Sequence, residues 1–370
     1  MKVTRASEVG QAAERRLPIP TWGASAAVML AVASLYIEPP LPVVAALLLL
    51  AIGIAALDPP GVLAAIAASL ALIEMPIPFG SLRFNPAEVL LATACGGIAL
   101  RAGKTLLRGG FSVAQEALGR ARTLAFSGFG PVAIALVVVG TLSLFTVADP
   151  SHRAESLREY RWVILEPVLF AFLLRWYLTD RADRWLVAWL FAGAAALAAV
   201  SAAVDGLSGS GLAVEGVVRI SGTFPHPNAL GLYLERVVPF AAALGIAFRS
   251  RVDARWLALA AVCAGGLLLT FSRGAYLGAG AGLLVVAWLA GRRRLAGALA
   301  IGAVVLGGVL VLVAGDRILS LFSGGSGSLR LAIWQSSLAM IRDHPITGVG
   351  LDQFLYQYAP RYVLPEAWPE

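Results

Sequence analysis

Three arginines stand where a chain this apolar has little need of positive charge. Arg219 precedes a Gly-Thr-Phe turn and the knot Pro225-His226-Pro227-Asn228, Arg273 lies in Ser272-Arg273-Gly274 between two apolar blocks, and Arg330 opens the stretch RLAIWQSSLAMIRDHP. None has an evident carboxylate partner. Guanidinium forks take phosphate oxygens in bidentate geometry and keep their charge at any relevant pH, so the set suits a phosphate-bearing ligand. Each residue also has a plainer reading. An arginine at a helix end snorkels to the interface, His226 between prolines is a polar turn residue, and His344 beside Asp343 is a cation at a helix C-terminus. No DxD, HExxH or Cys/His cluster accompanies them, and no Walker motif, so the sequence implies no metal, no ATP and no other cofactor.

The elements that must position these groups are membrane spans. Hydrophobic residues make up 59% of the 370, charged residues 14%, and the mean hydropathy is +0.80. The apolar residues come in continuous blocks of roughly 15–21, close to what a helix needs to cross the hydrocarbon core. The fold class expected is an all-α polytopic membrane protein. Spans are expected near 22–37, 41–57, 61–77, 86–100, 128–147, 162–178, 184–204, 228–248, 254–271, 274–290 and 295–314, eleven in all. Pro76 and Pro78 leave open a tilted or re-entrant pair for 61–77 and 86–100. Cys95 and Cys263 both fall inside apolar blocks and read as packing residues. A pI near 9.8 does not point to nucleic acid, because the basic residues punctuate spans.

Charge counting sets the expected orientation. With the N-terminus inside, short cytoplasmic segments hold 17 Lys and Arg, against 10 on the other side, four of them in the long tail after residue 314. The organisation is then a cytoplasmic N-terminal segment 1–21, N-terminal transmembrane helices 22–204, an outer loop 205–227, further spans 228–314 and an extracytoplasmic stretch 315–370. A basic stretch 101–123 is expected to lie on the inner headgroups. In the tail, Ser328 is placed to cap a helix through about Asp343, with Leu331, Trp334, Leu338 and Ile341 on one side. This is an extracytoplasmic amphipathic helix. Tyr356, Tyr358, Tyr362 and Trp368 follow, as an interface belt or as sugar-stacking residues. Glu88, Glu166 and Glu235 lie in or beside spans, where a charge calls for a partner.

The strings RISGTFPHPNALGLYL, LLLTFSRGAYLGAGAGLL and RLAIWQSSLAMIRDHPITGVGLDQFLYQY together resemble the O-antigen ligase and O-antigen polymerase family, over about residues 215–358. These are bacterial inner-membrane glycosyltransferases that move glycans from undecaprenyl diphosphate to a glycan or lipid acceptor. The resemblance implies an inverting, metal-independent transfer, with Arg219, Arg273 and Arg330 neutralising the diphosphate as it leaves. It also implies that Gly222, Gly348 and Gly350 shape loops. The family's general base is a histidine beyond the aromatic tail. This chain stops at RYVLPEAWPE before any such residue, which reads as a truncated outer loop; the alternative is that His344 or His226 substitutes. Polymerase, ligase and protein oligosaccharyltransferase share the donor and are not separated by these motifs. A transporter or flippase for the same lipid-linked sugar is the alternative. It would place charges at midplane on discontinuous helices and repeat one half in the other.

Overall fold

The structure is a computed structural model that describes residues 20–79, 82–147, 149–209, 212–214, 217–246, 253–291 and 326–364. The expected span 295–314 and most of the N-terminal segment lie outside these residues. The chain divides into two compact units, Met1–Ala114 with Leu174–Leu299, and Gln115–Leu173 with Ala300–Glu370.

The first unit opens with α1 (Thr21–Ala33), α2 (Leu41–Leu57) and α3 (Pro59–Ser69). Prolines in the first turns of α2 and α3 sit where no backbone N–H is needed. Every residue of α3 is buried, and it packs on α1 and on α8 (Arg181–Leu207). The expected span 61–77 ends early: a 3-10 turn closes at Leu72, and β1 (Ile77–Phe79) pairs antiparallel with β2 (Leu82–Phe84). Pro76 and Pro78 cannot continue a helix, so the chain turns into a hairpin instead. A second hairpin, β3 (Leu212–Val214) with β4 (Val217–Arg219), occupies the expected outer loop. The described fold is therefore helical with two short hairpins.

The stretches expected as a span at 86–100 and a surface helix at 101–123 form one element, α4 (Pro86–Ala125), broken at Gly110 where φ is 61° and ψ −151°. Glu88 finds its partner at the start of this helix. It accepts from the Asn85 amide at 2.8 Å, while its own amide donates to Asn85 Oδ1 at 2.9 Å, a reciprocal capping box.

The packed heart of the first unit is α8 with α9 (Pro227–Ile246), α10 (Ala254–Leu269) and α11 (Arg273–Leu289). Buried alanines line α8 at 192, 195, 196, 199 and 202, against Leu230, Leu234, Val237, Trp256 and Cys263. A Cβ placed on Gly266 would lie 2.5 Å from Ala199 Cβ, so α8 and α10 approach as closely as backbones allow. Large apolar side chains such as Leu197, Leu277 and Leu289 instead face outward. Small residues inside and large apolar residues outside is the pattern of helices that pack by shape while surrounded by lipid.

The second unit contains α5 (Gly130–Ser143), α6 (Arg153–Glu159), which runs through a π-helical turn (Tyr160–Leu165) into α7 (Glu166–Tyr177), then α12 (Ser326–Asp343) and α13 (Phe354–Gln357). Glu166 forms an ion pair with Arg161, its Oε1 lying 2.9 Å from the Arg161 Nε. The tail helix starts at Ser326, two residues before the expected cap, and ends at Asp343 as expected. Its buried face is Ala332, Ser336 and Met340, whereas Leu331, Trp334, Leu338 and Ile341 are exposed.

Among the described residues, α4, α8 and α9 are long and apolar enough to cross a membrane, and six shorter apolar helical stretches of 10–17 residues accompany them.

Candidate functional site

The site is built where two helices begin. At the start of α9, the His226 carbonyl accepts from the amides of Ala229 and Leu230, at 2.9 and 3.3 Å, and Pro227 holds the first helical position. At the start of α11, the chain leaves α10 through Thr270 and Phe271 and re-enters a helix at Arg273. Phe271 has φ 49°, a left-handed conformation that an aromatic residue rarely adopts, and it is half exposed. Backbone strain of this kind concentrates where a turn must present a particular group. Here it presents Arg273 in the first turn.

The two helices run parallel. A Cβ on Gly231 would lie 3.0 Å from Ser272 Cβ and 3.2 Å from Ala275 Cβ; one on Gly278 would meet Glu235, and one on Gly282 the ring of Pro239. Their N-termini therefore lie side by side, with the positive ends of both backbone dipoles at one corner.

Arg219, the last residue of β4, reaches into this corner. Its Nε donates to the Thr270 carbonyl at 2.8 Å and an Nη2 hydrogen donates to Asn228 Oδ1 at 2.7 Å. One guanidinium thus ties β4 to the start of α9 and to the turn before Arg273, with the rest of its five N–H donors left over. Arg273 is exposed and makes no hydrogen bond or ion pair among the described residues. The structure brings Arg219 and the Arg273 turn together. Arg330 lies on the backbone of α12 in the other unit, and its side chain is outside the described residues.

The loop glycines occupy demanding positions. Gly222 has φ 55°, and a Cβ there would come within 2.8 Å of Ala202 Cβ on α8. Gly350 has φ 106°, and a Cβ there would meet Gln353 Cγ at 2.8 Å. Gly348, with φ 66°, faces open space. Glu235 lies against Gly278 on α11 and has no ion-pair partner among the described residues. His344 follows the last turn of α12, its amide donating to the Met340 carbonyl at 2.9 Å, and its exposed side chain has no partner among the described residues. Among the described residues no three His, Cys, Asp or Glu side chains gather.

A polar cluster that the sequence reading passed over lies in the second unit. His152 Nδ1 and Glu155 Oε2 are 3.2 Å apart, the same oxygen accepts from the Tyr356 hydroxyl at 3.0 Å, and the His152 and Tyr356 rings stack with centroids 3.7 Å apart. The bond to the Glu155 carboxylate pushes the Tyr356 hydroxyl above its ordinary pKa. Ser156 Oγ donates to the Leu351 carbonyl at 2.6 Å and accepts from Gln353 Nε2 at 2.9 Å, fastening the tail to α6. The local signal was a His-x-x-Glu spacing on a short helix; nothing local pointed to the tail.

Against known proteins, residues 257–369 match the family model described as O-antigen ligase. No curated protein and no solved structure matches the chain. The matched stretch takes in the Ser272-Arg273-Gly274 turn, α12 and the aromatic tail, and leaves out Arg219, Gly222 and His226. The apolar helices are those of a membrane protein, and residues 257–369 are similar to the O-antigen ligase family, as the motifs led us to expect.

Proposed function

We propose that this protein transfers or polymerises glycan from undecaprenyl diphosphate at the outer face of a bacterial cytoplasmic membrane. Arg219 and Arg273 hold the carrier's diphosphate, the role that the resemblance also gives Arg330. The acceptor hydroxyl attacks the anomeric carbon from the face opposite the carrier, the carbon–oxygen bond to the diphosphate breaks, and undecaprenyl diphosphate leaves with the bonding electrons. Charge grows on the diphosphate oxygens as that bond breaks, and fixed guanidinium groups stabilise it without reorganising. In this reading the N-terminus is cytoplasmic, and residues 205–227 and 315–370 are extracytoplasmic, the orientation favoured by 17 basic residues in the short cytoplasmic segments.

The observation that carries the reading is the Arg219 bridge to Thr270 and Asn228, which sets one cation beside the turn bearing another, at two helix N-termini. Such a corner favours a dianionic group over a neutral sugar. The experiment is complementation of a strain lacking the gene. Arg219→Ala and Arg273→Ala are expected to insert normally and to yield no transferred glycan. Arg273→Lys is expected to fail as well, because an ammonium group cannot make the bidentate contact. Normal glycan length and amount in these variants would reject the diphosphate role and leave a membrane scaffold.

A further inference from the structure

A groove that shares no residue with the arginine corner runs along α4 in the first unit. It holds about 580 Å³. Gly96, Ala99 and Gly103 form its floor, Leu100 and Leu107 flank it, and Lys104 and Arg108 stand at one end. Helix α2 holds α4 at this level. A Cβ on Gly97 would lie 2.5 Å from Ala55 Cβ, and Arg101 Nη1 donates to the Ala56 and Leu57 carbonyls, both at 3.3 Å. Arg101 thus faces the negative end of α2. Gly103 has no such neighbour, since a Cβ there would meet nothing within 4 Å. Glycine inside a helix costs stability relative to alanine, and among the described residues no close contact requires it here.

Leu107 is 91% exposed and Leu100 61%. On a helix long and apolar enough to cross a membrane, side chains of this kind face lipid. The stretch from Gly96 to Arg108 covers about 18 Å of helix at 1.5 Å a residue. One leaflet's share of the hydrocarbon core is about 15 Å. The groove is therefore as deep as a single leaflet, with its apolar end toward the midplane and its cations at headgroup level. Lys104 and Arg108 are exposed, lie one turn apart and have no hydrogen bond or ion pair among the described residues. Like charges at this spacing repel, and an anion between them turns repulsion into two attractions. The helical path breaks at Gly110, just beyond them.

We propose that the groove binds one anionic phospholipid, its phosphate between Lys104 and Arg108 and one acyl chain along Gly103, Ala99 and Gly96. The two cations supply the charge that the headgroup complements, and the missing side chain at Gly103 leaves room for the acyl chain. A zwitterionic lipid brings a cation of its own to the same place and is disfavoured. An undecaprenyl chain is far longer than a leaflet is deep, whereas an acyl chain fits the groove. The inference does not rest on the glycan transfer.

The test is native mass spectrometry of the purified full-length protein in mild detergent. It is titrated with phosphatidylglycerol, with phosphatidylcholine of the same acyl chains, or with undecaprenyl monophosphate. The wild type is expected to retain one phosphatidylglycerol about tenfold more tightly than either other lipid. Lys104→Gln and Arg108→Gln should each remove most of that preference. Arg122→Gln removes the same charge beyond the Gly110 break and should leave the preference intact. Gly103→Leu fills the groove without a clash, so it should keep the thermal unfolding midpoint in lipid-free detergent and weaken retention of phosphatidylglycerol about tenfold. Equal retention of phosphatidylglycerol and phosphatidylcholine, or a preference lost equally in Arg122→Gln, would overturn the site in favour of diffuse attraction. Tighter retention of undecaprenyl monophosphate would give the groove to the carrier instead. A Gly103→Leu midpoint well below the wild type's would mean that protein, from this chain or a second copy, already covers the groove. Unchanged lipid retention in that variant would rule out the acyl chain there.

Discussion

The corner at the start of α9 and α11 and the junction between α6 and the tail bring polar groups together by different means. In the corner, position follows from backbone packing. Glycines on α9 and α11 let the parallel helices touch, and Arg219 then needs only two bonds, to partners 51 and 9 residues away, to lie beside the Arg273 turn. At the junction, position follows from side chains reaching across the sequence: Ser156 to Leu351 spans 195 residues, and Tyr356 to Glu155 spans 201. A site of the first kind should tolerate loss of a neighbouring hydroxyl and fail when a methyl group is added between helices. A site of the second kind should do the reverse.

The largest effect expected is at the arginines. A charge-assisted hydrogen bond contributes about 1.5–3 kcal/mol, so Arg219→Ala or Arg273→Ala should weaken binding of a diphosphate lipid by about 10- to 150-fold. Titration of detergent-solubilised protein with the carrier lipid checks this. Next, Gly266→Val places side-chain atoms where Ala199 already sits, and overpacking of this kind costs about 1–3 kcal/mol. A lower thermal unfolding midpoint, with the tail's protease resistance unchanged, would show that the packing of α10 on α8 depends on shape. Ser156→Ala removes the donor to Leu351 and leaves buried Gln353 Nε2 without that partner, at about 1–3 kcal/mol of local stability. Limited proteolysis should then cut the tail sooner, while carrier affinity stays as it was. The smallest effect is expected for Trp334→Ala. This ring is 64% exposed, and its loss should change stability in detergent by less than about 0.5 kcal/mol. A large loss there would mean that the outward face of α12 packs on protein.

The helices were legible because apolar block length and flanking charge act locally, and the starts and ends of α2, α9, α10 and α11 fall within two residues of the positions read from sequence. What the sequence concealed is where local rules compete. Pro76 and Pro78 ended an expected span early and led it into a hairpin, and the break expected near residue 100 falls instead at Gly110, inside the basic stretch. Glu88 read as a charge that calls for a partner, and it exchanges two hydrogen bonds with Asn85, three residues away. Arg219 and Arg273 were legible as candidates because a guanidinium outside the cytoplasmic loops stands out. The His152 pair was not, because its meaning depends on Tyr356 and Gln353, whose placement no periodicity encodes.

The central claim is that Arg219 and Arg273 grip a diphosphate, and carrier binding tests it without any need for turnover. The purified protein should bind undecaprenyl diphosphate more tightly than undecaprenyl monophosphate, and Arg219→Ala and Arg273→Ala should each erase most of that preference. Equal affinity of the wild type for the two lipids, or a preference that survives both substitutions, would contradict the account.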